Sequence, residues 1–426
     1  MNVALQSQMT DHGHGVHIPI IPDFSRQVVC IEGLLCDTVT FDEAKQRLLA
    51  SIRETRRCNL VTPNANFLRL IRSDPDFRDA ALASDLSIID GMPLLWLARM
   101  LGIPVQQRVC GSDLFDALQA DAGRRISTFF FGATDDVGER VRKRLSEIKS
   151  AIRCAGTLSP GFGSVDSMST PATLDTINQT TPDLLVVSIG ARKGLLWLSR
   201  NEQRISAPVI CNLGATINFV AGSVKRAPLL FRRLGMEWLW RIKEEPALWT
   251  RYALDLVTLT SVLLRQVLPR AILCSAYRPS VTQLATARVR RHRRGEDEIL
   301  EFTGAWTQRN ILPVRAAFTA ACHAKRNLVV DLDGVTHLDA MFLGLLLLAY
   351  GHQRRMHRAF SIDASGPRIR AMLRLHGCGY LLLAGPAASD TGATTQSSEA
   401  MGSPPIARKA ENRPCEARAL DKRPSS

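Results

Sequence analysis

Five short runs rich in β-branched, aliphatic or aromatic residues, at positions 59–61, 86–89, 127–131, 184–189 and 209–213, punctuate the first half of the chain. Runs this short and this apolar suit strands buried on both faces of a parallel sheet. Between them lie amphipathic stretches such as 67–83 and 137–149, whose charges fall on one side. Strands alternating with helices predict an α/β fold, a Rossmann-like layered domain with a parallel sheet. In such folds ligands bind beyond the carboxyl ends of the strands.

The 426 residues exceed one ordinary domain, and a second, smaller α/β pattern follows. It has strand-like 328–332, apolar 342–350, strand-like 359–362 and helical 367–376. The expected organisation is a flexible N-terminal extension over 1–27, a first domain over 28–275, a basic linker over 276–295, a second domain over 296–383 and a disordered tail over 384–426. The linker carries Arg288, Arg290, Arg291, His292, Arg293 and Arg294, and the tail is polar without periodicity.

The ten cysteines form no C-x-x-C pair and no metal-ligand spacing, which disfavours a zinc site or a disulfide framework and fits a reducing cytoplasm. A net charge of +14 favours anionic partners: nucleic acid, an anionic membrane surface or a phosphorylated substrate. No helix-turn-helix, zinc or aromatic-platform signature accompanies the basic cluster, so nucleic acid is not expected as a partner. No basic segment followed by an apolar run opens the chain, so export is not expected. The apolar stretch 254–268 contains Asp255 and Arg265 and falls short of the roughly 20 residues that cross a bilayer, so no membrane-spanning helix is expected.

Chemistry in the first domain is constrained by an absence. All nine histidines lie at 12–17 or 292–376, which excludes a Ser–His–Asp or Cys–His site between Ile18 and Arg291. A general base there has to be another side chain, and a strand-end carboxylate leads. Asp90 ends an apolar run just before Gly91-Met92-Pro93; a plain turn or helix cap is the competing reading. Thr62-Pro63-Asn64 closes the preceding strand in the same way, as ligand donors or as a cap. Arg108 precedes Gly111-Ser112-Asp113, where a guanidinium could grip a diphosphate. The segment 212–228, with Gly214, Lys225 and Arg226, offers amides and cations to phosphate. It matches neither the nucleotide-triphosphate loop nor the dinucleotide fingerprint. Asp74-Pro75-Asp76 has the look of a metal-binding Asp-x-Asp but lies in a helical pattern, so it reads as a helix break.

These segments resemble the WecG/TagA/CpsF family, glycosyltransferase family 26. The resemblance rests on VTPNANFL (61–68), DLSIIDGMPLLWLARMLG (85–102), QRVCGSDL (107–114), FFFGA (129–133), VSIGARKG (187–194) and the long block from Gly214 to Arg251 with its R-A-P and G-M-E-W-L-W-R runs. It implies transfer of an N-acetylmannosamine-type or glucose-type sugar from a UDP-sugar donor onto an undecaprenyl-diphosphate-linked saccharide, without a metal or other cofactor. It makes Asp90 the candidate base, puts Thr62 and Asn64 in its pocket, and gives Arg108 the departing diphosphate; Gly111, Asp113, Lys193, Gly214, Lys225 and Arg226 join as substrate contacts. Where many members read Pro-Lys-Gln-Glu, this chain has Arg192-Lys193-Gly194-Leu195, so a glutamine often placed in the site is missing.

After Glu237 the family carries an appendage that meets the membrane, and here Arg241, Lys243, Arg251, Arg265 and Arg270 interleave with leucines and Trp249. That pattern suits attachment to the inner face of the plasma membrane, with an ordinary docked helix carrying solvated cations as the competing reading. The second domain resembles a STAS fold through 328–355 and 365–382. Asp339-Ala340-Met341-Phe342 stands where that family commonly has a phosphorylated Asp-Ser-Ser-Gly. The loss of both hydroxyls implies an unswitched domain whose Met341–Phe342 surface is open to a protein partner. A regulatory binding protein acting through this domain is the competing function.

Overall fold

The computed structural model describes Val16 and residues 21–383, other than 122, 149, 215, 234 and 277–278. Twelve strands are described: β1 (Val28–Ile31), β2 (Leu34–Asp37), β3 (Cys58–Val61), β4 (Leu86–Ser87), β5 (Ile126–Phe131), β6 (Ile152–Leu158), β7 (Leu184–Val187), β8 (Val209–Asn212), β9 (Arg288–Arg294), β10 (Asp297–Trp306), β11 (Asn327–Leu338) and β12 (Phe360–Asp363).

The first domain is built on a six-stranded parallel sheet in the order β4-β3-β8-β7-β5-β6. Four of the five apolar runs are its interior strands, buried at every residue or nearly so. The fifth, β4, pairs over only two residues and forms one edge. The other edge, β6, is half-exposed along IRCAGTL, and its weak apolar signal hid it from the sequence. Pro75 ends the helical pattern as expected, because it lacks the amide that would continue the helix. The Ala65–Ser73 helix stops there and Asp74 caps the Pro75–Leu82 helix by accepting from the Phe77 amide at 3.1 Å.

The second domain carries a mixed sheet, β12-β11-β10-β9. Its outer strand corrects the linker assigned to 276–295, since Arg288–Arg294 runs antiparallel to β10. Alternation explains the basic composition. Val289, Arg291 and Arg293 stand opposite Phe302, Leu300 and Glu298, and Arg291 and Arg293 both grip Glu298, which is 1% exposed. The remaining residues of the strand face solvent. A charged edge strand also resists pairing with another copy of itself.

Between the two sheets lies the β1–β2 hairpin. Its turn places Glu32 and Gly33 at φ 52° and 84°, the left-handed pair that matches strand twist in a two-residue loop. The Ala340–Arg355 helix of the second domain crosses this hairpin, and residues Met341 to Gln353 are all buried. Contact is close because Gly344 and Gly351 face the first domain. A Cβ on Gly344 would lie 2.7 Å from the Val28 carbonyl oxygen, and one on Gly351 would overlap the Leu82 carbonyl. Phe24, Val28, Cys30, Leu35 and Leu82 accordingly share one apolar core with the second domain.

Two expectations change here. Part of the N-terminal extension is packed rather than free, since Phe24 stacks on Phe318 at 5.7 Å and Arg26 is buried against Asp37 at 2.6 Å. The Met341–Phe342 surface is not open to a partner: the two residues are 4% and 0% exposed, covered within the chain itself. The tail 384–426 lies outside the described residues.

Candidate active site

Each strand of the sheet ends at the same edge, and the polar residues singled out from the sequence follow β3 and β4 there. Asp90 donates its amide to the Pro63 carbonyl at 3.0 Å, which fastens the β4 end to the β3 end. Asn64 caps the Ala65–Ser73 helix, its Oδ1 accepting from the Asn66 and Phe67 amides at 3.0 and 3.3 Å. The cap reading of Asn64 therefore holds. Gly91 lies close against it: a Cβ there would stand 3.1 Å from the Asn64 Cβ. Thr62 is 6% exposed, and its methyl together with Leu213 closes on Gly111, where a Cβ would stand 3.0 Å from Thr62 and 2.5 Å from Leu213.

Gly111 starts the Gly111–Gln119 helix, whose amino-terminal end sets Cys110 and Asp113 near Asp90. Burial pushes the Asp90 carboxyl up to about 6, against the pull of a hydrogen bond with Cys110 and the charge of Arg108. Burial and the neighbouring Asp90 push the Cys110 thiol well above its usual range, so it remains a neutral donor to that carboxyl. Arg108 reaches Glu237 at 3.4 Å and Asp113 at 3.6 Å. Asp113 in turn holds Arg226 at 2.6 Å and Arg232 at 2.8 Å, while Arg226 also bonds Ser112 at 2.9 Å and pairs with Asp116.

The arrangement is a carboxyl poised to exchange a proton near neutral pH, with the Arg108 guanidinium acting on it and the Arg226 and Arg232 guanidiniums gathered on the neighbouring Asp113. A group with a pKa near the working pH suits general base catalysis. Guanidiniums beside it suit an anionic leaving group, where charge develops.

Other candidates stand apart. Lys193 donates to the Gly163 carbonyl at 2.8 Å, Arg192 pairs with Asp74, and Lys225 is exposed, with its carbonyl accepting from the Trp240 indole at 3.0 Å. Gly214 is exposed just beyond β8. Among the described residues, no group of three or more His, Cys, Asp or Glu is arranged to hold a metal ion.

With this geometry in view, the comparison with known proteins is decisive. The profile of the glycosyl transferase WecG/TagA/CpsF family matches residues 29–272, more than half the chain. The chain belongs to this family. A STAS domain of the Mlab type matches residues 289–383 of this glycosyltransferase. Its relatives include two proteins named N-acetylglucosaminyldiphosphoundecaprenol N-acetyl-β-D-mannosaminyltransferase, from Bacillus spizizenii and Staphylococcus aureus. They are 28% and 24% identical over 193 and 190 residues, 45% and 44% of this chain and 73% of each relative.

Sequence reasoning overlooked Glu237 and Cys110 as neighbours of Asp90, and Arg232 and Ser112 as partners of Asp113 and Arg226. Glu237 and Arg232 sit inside the long matching block, which was the available signal. Their pairing with Arg108 and Asp113, more than a hundred residues away, is visible only once the Glu237–Glu244 helix is folded back over the site.

Proposed function

We propose that this glycosyltransferase moves a sugar from a UDP donor onto an undecaprenyl-diphosphate-linked saccharide during surface-polysaccharide assembly, with Asp90 as the general base. The observation that carries the reading is the partly covered Asp90 carboxyl just beyond β4, raised to about 6 with Arg108 and Asp113 beside it, and with Arg226 and Arg232 held on that same Asp113. Asp90 takes the proton from the acceptor hydroxyl as that oxygen attacks the anomeric carbon, and the bond to the UDP oxygen breaks. Thr62, Asn64, Gly111 and Asp113 shape the pocket. Arg108 and Arg226 exchange their carboxylate partners for the departing diphosphate, and Lys193, Gly214 and Lys225 meet the donor or the lipid diphosphate from the adjoining strand ends. The names of the relatives support the lipid-linked acceptor and an N-acetylmannosamine-type sugar.

No metal or other cofactor takes part in this scheme, so turnover should persist in EDTA. Below about pH 6 the base is protonated and kcat should fall tenfold per pH unit. A flat acid limb down to pH 5, or complete loss of turnover in EDTA, would count against it.

The site has to meet a lipid, and the chain offers a surface for that at the cytoplasmic face of the membrane. The helical segment Pro246–Ile272 is 27 residues long and, by length and composition, apolar enough to cross a bilayer, longer than its sequence suggested. One side is anchored to the protein through Asp255, which accepts from Arg69 at 3.0 Å, and through Arg270, which lies 3.1 Å from Glu32. The opposite side exposes Leu254, Val257, Leu264, Leu268 and Ile272. Crossing the bilayer would strip both anchors, so lying in the interface is the favoured arrangement. Each leucine inserted contributes about 1–2 kcal/mol. The L254S/V257S/L264S variant should therefore lose at least about a hundredfold of its binding to anionic vesicles in a sedimentation assay. Unchanged binding would place the membrane contact elsewhere.

The competing regulatory reading loses support from the buried Met341–Phe342 face, which leaves it no such surface to offer a partner.

A further inference from the structure

The strand that leads to Asp90 is the least supported in its sheet: β4 pairs over two residues and has a neighbour on one side only. Its register is maintained by polar side chains from outside the sheet. The Ser87 amide donates to Asp37 at 2.8 Å and the Ser87 hydroxyl to the Leu35 carbonyl at 2.5 Å, both on β2. Arg26 donates to the Ser84 carbonyl at 2.9 Å and pairs with the same Asp37 at 2.6 Å.

The STAS domain holds Arg26, one of these supports, and adds others of its own. Arg315 donates to the Arg26 carbonyl at 2.8 Å. Tyr350 and Arg354 both bond Asp79 at 2.7 Å, just ahead of the turn into β4. Arg355 reaches furthest: it binds Glu202 at 2.7 Å and Asp85 at 3.2 Å, and Asp85 also accepts from the Asn59 amide of β3 at 2.8 Å. Arg355 therefore closes the amino ends of β3 and β4 together. Their carboxyl ends carry Thr62, Asn64 and Asp90. From Asp85 to Asp90 is five residues of extended chain, about 16 Å at 3.3 Å each.

We infer that the STAS domain is a brace for the transferase edge strand, and that Arg355 is a positioning residue for Asp90. The inference rests on the base assignment to Asp90. The domain's docking helix is spent inside its own chain, and what it gains for the enzyme is the placement of one carboxyl. A misplacement of about 1 Å at a reacting group can cost a hundredfold in rate.

The test uses the full chain with Arg355→Met, Arg355→Lys and Asp90→Asn, and the doubly neutral E202Q/R355M should Arg355→Met not fold. The Met variant, or the doubly neutral one in its place, is expected to lose about tenfold to a hundredfold in kcat with donor KM within about twofold, and Arg355→Lys to recover part of it. By hydrogen exchange, the Ile88 and Asp90 amides, which donate to Val61 and Pro63, should lose protection while the β7 and β8 amides keep theirs. Wild-type kcat in a folded Met or doubly neutral variant overturns the brace, whether or not those amides loosen. Wild-type kcat in Asp90→Asn instead overturns the base assignment, and the positioning role with it.

Discussion

Asp90→Asn should lower turnover by about 10²–10⁴-fold while leaving the protein folded and its donor affinity close to wild type. The amide is nearly the same size and can accept the Cys110 hydrogen bond, yet it cannot take a proton from an attacking hydroxyl. Stability gives an independent check. Burial raises the folded-state pKa of Asp90 to about 6, above the value of about 3.9 in an unfolded chain. The folded protein therefore holds that proton more tightly, and a destabilising contribution from the buried charge grows between about pH 4 and pH 6 and is complete above. Asn carries no such charge. Thermal unfolding at pH 8 should show the variant at least as stable as the parent; a large loss of stability, or near-normal turnover, would remove Asp90 from its role.

The second large effect concerns stability alone. Arg270→Met should cost about 3–5 kcal/mol at pH 8, because it strands Glu32 in the interior with a more distant partner. Glu32 is fully buried in the hairpin turn, Arg270 is 4% exposed at 3.1 Å, and Arg72 stands at 3.8 Å. Although the charges face each other closely, their geometry falls short of a hydrogen bond, so the pairing is chiefly Coulombic. Burial already raises the Glu32 carboxyl despite both arginines, and removing one raises it further. A group with a raised folded pKa is least destabilising when protonated, so the loss should be smaller at pH 5 than at pH 8. E32Q/R270M should regain most of it. Denaturant unfolding at the two pH values measures this; an equal loss at both would show that packing, not charge, dominates.

Much of this was legible beforehand because local chemistry decided it. The interior strands announced themselves as apolar runs, Asp74-Pro75 ended a helix as its missing amide requires, and the histidine-free stretch directed attention to Asp90. What stayed hidden was long-range or disguised by alternation. Arg288–Arg294 is charged at most positions, yet its inward arginines neutralise Glu298 and so complete a sheet. The Met341–Phe342 run is apolar both for its own core and for the transferase half, and composition does not distinguish a face awaiting a partner from one already covered. Glu237 lies within a matching block but gains meaning only beside Arg108.

The central claim is most directly tested by mass spectrometry of a short-chain lipid-diphosphate N-acetylglucosamine acceptor after incubation of the full chain with UDP-N-acetylmannosamine, UDP-glucose and related UDP-sugars. The expected result is an acceptor heavier by one sugar with one of these donors, release of UDP only when acceptor is present, and no product with Asp90→Asn. An acceptor of unchanged mass with every UDP-sugar, from a folded protein bound to acceptor-bearing vesicles, would contradict it.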